Sequence, residues 1–403
     1  MKVLVIQPWI RPGGRGVDSL HFAHNLLLRG HEVEVACTFV DPSDLPPEVN
    51  DVRYHTPSSH LAQLCGRSKA FRELAGPWLL LQQVWRHSRD ADVLNPHDFP
   101  AAWVAAVVGG FRRIPVVWTC KEPPGQMPWR MAREVDVNAW IGWHLAGGWI
   151  DRVLVRRVDG IHVLSERSRA DVAARYGRDS TVAGTPVDPS FQGRGNPSKV
   201  LDRYGLRGQF VLLCVGKLHP QKKQLVCIGA LREVLSEIPD AVLVLVGDGP
   251  MRSKWLKLAS QWGLSKRIRY IRRVSNEELR DLYAACSVNL VPAENQSWGL
   301  TAFEALCAQK ISIVASDSGA AEVLAAQGIA VVCRPTPEAF AANIIRIFAH
   351  RGRYQAMARK GRRYVMRNLT WSQYTERLVG LMASACRSKR PLLSELAKKE
   401  VAR

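Results

Sequence analysis

The stretch VPAENQSWGLTAFE, residues 291–304, closes a run of β-branched residues, passes through a polar loop and places Glu304 on the first turn of a helix. A strand end facing a helix start is where open α/β sheets take their ligands, because the crevice outside the carboxyl ends of the strands is bordered by helix N-termini that favour anions and hydrogen-bonding oxygens. Gln296 and Glu304 bracket the loop, and Gly299 lets its backbone pack closely.

Outward from this loop the same rhythm recurs in both directions. FVLLCVG (210–216), AVLVLVG (241–247), IRYIRRV (268–274), VNLVP (288–292), ISIVAS (311–316) and IAVVC (329–333) read as strands, with helices expected over 221–237, 250–263, 276–285 and 299–308. Before residue 190, KVLVI (2–6), HEVEVAC (31–37), ADVLN (91–95), IPVVWT (114–119) and GIHVLS (160–165) alternate with helical stretches near 17–29, 76–87 and 99–109. Strand, helix, strand in series means a parallel sheet, so the fold class is α/β with two doubly wound sheets. TVAGTPVDPSFQGRGNPS (181–198) is rich in Gly, Pro, Ser and Thr and reads as the connection between them. The expected domains are 1–190 and 191–370, a helix over 371–384 packing back onto the first, and a charged tail over 385–403, frayed or surface-bound.

Composition narrows the function classes. At 403 residues and 47% hydrophobic content the chain has material for two cores. Its nine cysteines are scattered without a CxxC pair, which argues against a disulfide framework or a zinc site and for reduced cytosol. MKVLVI runs into Gln7 and Pro8 as a first strand rather than a secretory segment, and no run of 18 apolar residues occurs. The net charge of +20 asks for an anionic partner. Nucleic acid is disfavoured because the basic residues form no single tract and no nucleic-acid-binding motif is present. Tryptophans 78, 85, 129, 140, 143 and 149 with neighbouring Arg86, Arg130 and Arg133 suit a bilayer interface, with core packing as the alternative.

Several residues at the strand ends have a chemistry. Gly13, Gly14 and Gly16 precede a helix and can offer backbone N–H groups to a phosphate, or be ordinary turn glycines. Lys217 and Lys222 lie just beyond the strand 210–216, where two cations suit a diphosphate; a solvated face shared with Lys223 is the alternative. His97, in NPHDFP, is placed to act as a general base or as a hydrogen-bond donor to a sugar hydroxyl, or to be structural. Gly247-Asp248-Gly249-Pro250 reads as a structural strand-to-helix turn, and Asp317, Ser318, Gly319 and Glu322 as a further wall of the Gln296–Glu304 pocket.

Taken in order, these segments resemble the retaining GT-B glycosyltransferases of family four over nearly the whole chain. The resemblance is carried by PGGRG with HFAHNLLLRGHEVEVAC, LNPHDFP, VLSERSRADVAARYG, TPVDPSF, VGKLHPQKK, VGDGP, SNEELRDLYAACSVNLVPA and, most specifically, SWGLTAFEALCAQKISIVASDSGAAEVL. It implies a GT-B architecture of two Rossmann-like domains facing across a cleft, the second binding a nucleotide diphosphate sugar and the first a glycan or lipid-linked acceptor. It also implies transfer with retention; with cationic side chains and helix dipoles to carry the leaving diphosphate and no acidic pair placed like a DxD metal clamp, no metal is expected. Lys217, Lys222, Gln296 and His97 would be the catalytic set; Gly14, Gly216, Val274, Gly299, Leu300, Thr301 and Glu304 would bind the donor, with Glu304 on the ribose hydroxyls. The setting implied is the cytoplasm, with peripheral attachment to the inner face of an anionic membrane, and cell-surface polysaccharide or glycolipid synthesis.

Three departures from the family pattern stand out. Gln296 occupies the place of the first glutamate of a Glu-x7-Glu pair, keeping hydrogen bonds and losing a carboxylate. Glu294 would replace it only through an unusual bend of the loop. Lys217 stands for an arginine, and Gly319-Ala320 for a double glycine. The Gln296 departure makes a catalytically weak nucleotide-sugar-binding subunit the alternative function.

Overall fold

The computed structural model describes residues 1–10, 15–41, 45–97, 99–123 and 148–401. The chain divides into two compact units, one of residues 1–124, 138–184 and 371–403, the other of residues 125–137 and 185–370. The partition thus falls between Gly184 and Thr185, ahead of the boundary expected near 190.

In the first unit β1 (Lys2–Ile6), β2 (Glu32–Ala36), β3 (Arg53–His55) and β4 (Val93–Pro96) form a sheet in the order β3-β2-β1-β4, and every pairing is parallel. Single bridges from Leu94 to Val116 and from His97 to Thr119 continue it into β5 (Val117–Cys120), β6 (Gly160–Val163) and β7 (Thr181–Val182). Strands β1, β4, β5 and β6 are buried along nearly their whole length because helices cover both faces. On one face α1 (Arg15–Leu27) packs Leu20, Phe22 and Leu26 against Val3, Val5 and Val35. On the other, α2 (Gly76–His87) and α3 (Phe99–Arg112) pack Leu80, Val84 and Ala105 over Leu4, Ile6 and Leu94.

The face covered by α1 is completed from the far end of the sequence. Trp371, Tyr374, Leu378 and Met382 of the C-terminal helix Trp371–Val401 are buried with Val3 and Val5, and Trp371 stacks on His21 at 5.2 Å. Full burial of such side chains is worth about 1.5–3 kcal/mol each, enough to hold a terminal segment down. The helix runs on to Val401 through the segment expected as a frayed or surface-bound tail.

The second unit is a six-stranded parallel sheet: β8 (Phe210–Val215), β9 (Ala241–Val246), β10 (Ile268–Ile271), β11 (Val288–Val291), β12 (Ile311–Ala315) and β13 (Val331–Cys333). Their order is β10-β9-β8-β11-β12-β13. The chain therefore winds outward from β8 in one direction, then returns to β11 and winds the other way. The strand order reverses between β8 and β11, which makes the crevice at their carboxyl ends the place where a doubly wound sheet binds its ligand.

Candidate active site

The two loops that leave β8 and β11 at this switch point are tied to each other. Gln221 accepts a hydrogen bond from the Glu294 backbone at 3.0 Å and its side chain donates to the Asn295 carbonyl at 3.0 Å. Lys223, in a left-handed conformation at the head of the helix Gln224–Val234, forms an ion pair with Glu294. This bears on two of the alternatives weighed from the sequence. Lys223 is not part of a solvated cationic face, and Glu294 has a cation of its own, so it is not held in reserve for the carboxylate missing at Gln296.

The base of the β8 loop is packed backbone to backbone. At Gly249 a Cβ would lie 2.2 Å from the Leu218 carbonyl oxygen, and at Gly247 one would lie 2.2 Å from that of Gly216. Neither can take a side chain without separating the two loops. Gln224, buried, donates to the Lys217 carbonyl at 3.0 Å and fixes the exit from β8, while the Lys217 side chain is exposed. Lys222 ends the short 3-10 turn Pro220–Lys222, and its N–H donates to the His219 carbonyl at 2.8 Å. Asp248 accepts from Arg272 at 2.7 Å, and that guanidinium holds its carboxyl below the usual range. The turn is structural, and Val274 lies half-buried two residues beyond Arg272.

Gly299 has φ +148°, a conformation that side chains rarely adopt, and caps α5 (Leu300–Cys307). Thr301 and Glu304 follow on that helix, and Asn289 of β11 donates to the Thr301 carbonyl at 3.1 Å. The Gln296 carbonyl accepts from the Gly319 N–H at 2.7 Å. A Cβ on Gly299 would meet that of Ala320 at 3.4 Å, so the Gly319-Ala320 turn packs directly against the loop. Trp298 lies under the loop, stacked on Phe303 at 4.8 Å and donating to the Thr185 carbonyl at 3.0 Å.

Glu304 has a partner with no cue in the sequence. Tyr283, fully buried on α4 (Asn276–Ala285), donates its hydroxyl to the Glu304 carboxylate at 2.6 Å. Burial and the neighbouring carboxylate push the phenol well above its usual range, so it stays protonated and keeps donating. Tyr283 sits in ELRDLYAACS as one more helical aromatic, and no local pattern separates it from core.

In the first unit His97 is buried at the end of β4, and its Nε2 meets Asn95 Oδ1 at 2.8 Å. The Asn95 amide donates to the Val117 carbonyl and to the Thr119 hydroxyl, so Oδ1 is an acceptor and the histidine proton is on Nε2. The donor role considered for His97 is therefore taken by Asn95. Burial, Lys121 and His162 hold the imidazole well below its usual range, leaving it neutral with Nδ1 as an acceptor. Nδ1 is buried and has no hydrogen bond among the described residues. Lys121, buried and 3.3 Å from Asp18, is a cation beside this group that the sequence did not single out. Gly14 and the tryptophans 129, 140 and 143 lie outside the described residues.

The family model for glycosyl transferases group 1 matches residues 202–364, and that for the glycosyl transferase 4-like domain matches residues 13–186. The chain belongs to the GT-B glycosyltransferases of family four. Within that family it is 26% identical to the D-inositol 3-phosphate glycosyltransferase of Salinispora tropica, over 96% of this chain and 84% of that one. It is also 26% identical to the GDP-mannose-dependent alpha-(1-6)-phosphatidylinositol monomannoside mannosyltransferase of Mycolicibacterium smegmatis, over 60% and 67% of the two chains. Among solved structures, HepE of Anabaena in complex with UDP superposes with a TM-score of 0.74 at 17% identity, over 95% of this chain and all of that one. WaaG, a glycosyltransferase of lipopolysaccharide biosynthesis, superposes at 0.69 and 16%, over 94% and 99%. The likeness to both is one of fold.

Proposed function

We propose that this glycosyltransferase moves a sugar, with retention and without a metal, from a nucleotide diphosphate sugar to a glycan or lipid-linked acceptor. The observation that carries the reading is the pairing, at the switch point of the second sheet, of the lysine-bearing β8 loop with the β11 loop and its Glu304. In this reading Lys217 and Lys222 neutralise the leaving diphosphate, Glu304 takes the ribose hydroxyls, and Gln296 with the backbone around Gly299, Leu300 and Thr301 orients the sugar. Gly216 and the region of Val274 border the nucleotide, and Gly14 contributes backbone N–H to phosphate. His97 accepts a hydrogen bond from a sugar hydroxyl through Nδ1, whose lone pair is otherwise idle. The named relatives that act on phosphoinositol compounds favour an acceptor of that polarity, in glycolipid or surface polysaccharide synthesis. Incubating the protein with a panel of nucleotide sugars and acceptor extracts in the presence of a chelator is expected to release nucleoside diphosphate for one donor. Thermal stabilisation by that donor without release would instead favour the catalytically weak binding subunit that Gln296 suggests.

The cytoplasmic side of a membrane is the proposed location. Among the described residues no helix is long and apolar enough to cross a membrane. Trp78 and Trp85 are 62% and 47% exposed, and the Arg112 guanidinium lies 4.5 Å over the Trp85 ring, beside Phe111 at 76% exposure. Aromatic rings interleaved with arginine suit the headgroup level of an anionic bilayer. Replacing Trp78 and Trp85 together by Ala is expected to weaken binding to phosphatidylglycerol vesicles, read by co-sedimentation, by at least about 30-fold, since each ring contributes roughly 1–2 kcal/mol of buried area. Unchanged sedimentation would remove the membrane from this reading.

A further inference from the structure

The second unit carries a second concave site, at the edge of the sheet away from the switch point. It lies at the amino ends of β8, β11 and β12, about 10–17 Å from their carboxyl ends for strands of this length. Its volume is about 720 Å³, within the range of small-ligand sites. Arg194, Lys310, Arg351, Arg359 and Arg362 line it, and none of the described residues that line it is acidic.

Three of these cations come from one helix, α6 (Arg351–Asn368), which carries seven basic residues and no carboxylate. Its first turn holds Arg351 and Arg353 and no acid, although the positive end of a helix disfavours cations by about 0.3–1 kcal/mol each. Two of the lining arginines are held in place before any ligand arrives. Arg351 lies over the Phe348 ring at 4.3 Å and the Phe210 ring at 5.6 Å. Arg362 donates to the carbonyls of Cys307 and Gln192. The negative ends of α4 and α5 also reach this edge, and at about half a charge each they offset roughly one of the five cations. An excess of positive charge is left in a cavity, on guanidinium forks whose geometry matches phosphate oxygens two at a time.

We propose that this cavity is an anion site, separate from the donor site, for a ligand bearing one or more phosphates. The ligand is either a soluble polyphosphorylated compound or the phosphate headgroup of a lipid. The probe is inorganic tripolyphosphate, titrated calorimetrically into the full-length chain carrying Lys222→Ala, so that the donor loop contributes little heat. The expected result is saturable binding that weakens at least about tenfold in Arg194→Gln with Arg359→Gln, because two charge-assisted contacts to the phosphate oxygens are lost. Arg353→Gln with Arg363→Gln removes the same charge from α6 outside the cavity and is expected to weaken binding less than about threefold, the scale of screened long-range attraction. Monomeric dihexanoyl phosphatidylglycerol, a headgroup without a bilayer, is the second probe. Tighter cavity-dependent binding of this probe identifies the lipid as the source, and tighter binding of tripolyphosphate identifies a soluble ligand. Equal weakening by the two arginine pairs, or no saturable binding of either probe, overturns the proposal.

Discussion

Replacing Lys222 by Ala is expected to lower donor turnover by about 10²–10³-fold, the range found when one preorganised donor to a developing anion is removed. The leaving nucleoside diphosphate gains charge as the glycosidic bond to the sugar breaks, and in the proposed reaction cationic side chains rather than a metal receive it. Of the two lysines, Lys217 is exposed to water that screens it, whereas Lys222 is half-buried at the end of a closed turn. The turn itself is made by the backbone bond from Lys222 to His219 and by the links from Gln221 to Glu294 and Asn295, none of which uses the lysine side chain. The variant should therefore still fold, and Lys222→Arg should recover part of the rate because the charge is kept. Steady-state release of nucleoside diphosphate reads the effect. Full turnover in the alanine variant would sink the assignment of the β8 loop to the diphosphate.

Replacing Glu304 by Ala is expected to raise the KM for the donor by about 10²-fold, since hydrogen bonds to a charged group are worth about 1.5–3 kcal/mol each. The carboxylate is anchored rather than free to swing, because the buried Tyr283 hydroxyl donates to it at 2.6 Å. Tyr283→Phe is expected to raise KM by only about 3–10-fold, through a less ordered carboxylate that still carries its charge. Glu304→Ala also leaves the Tyr283 hydroxyl without that partner in the core, so a fall in stability of about 1–3 kcal/mol should accompany the loss of affinity. Glu304→Gln keeps a partner for Tyr283 and separates the two effects. Donor affinity by thermal shift, read beside the unfolding midpoint of each unliganded variant, distinguishes them. Unchanged donor affinity in Glu304→Ala would remove the ribose from this residue.

The fold was legible because its signals are local. Buried parallel strands appear as unbroken apolar runs such as FVLLCV and AVLVLV, and both fall where the sequence puts them. The turn glycines were legible for a related reason: Gly247, Gly249 and Gly299 follow strands or begin helices, where close backbone approach or positive φ is common. What a charged or polar side chain does at the site was much less legible. Lys223 and Glu294 looked like a solvated cation and a spare acid, yet they neutralise each other across 71 residues of chain. His97 read as a strand-end loop histidine free to act as a base or to donate to a sugar hydroxyl, yet it is buried and its proton is committed to Asn95.

By itself, then, the sequence of this glycosyltransferase determined most of the strands and helices, the two sheets, and the loop 291–304 as a strand-to-helix connection at the edge of the second sheet, because periodicity and turn chemistry act within a few residues. The tertiary structure alone decided which groups near that mouth are still chemically available. It placed Tyr283 behind Glu304 across 21 residues and gave Glu294 to Lys223. It also laid Trp371 and Tyr374 against strands from the start of the chain and gathered five cations around a cavity at the opposite edge of the second sheet. Hydrogen bonds and charge pairs act over a few ångströms of space, so their partners emerge only when the sheets bring distant residues together.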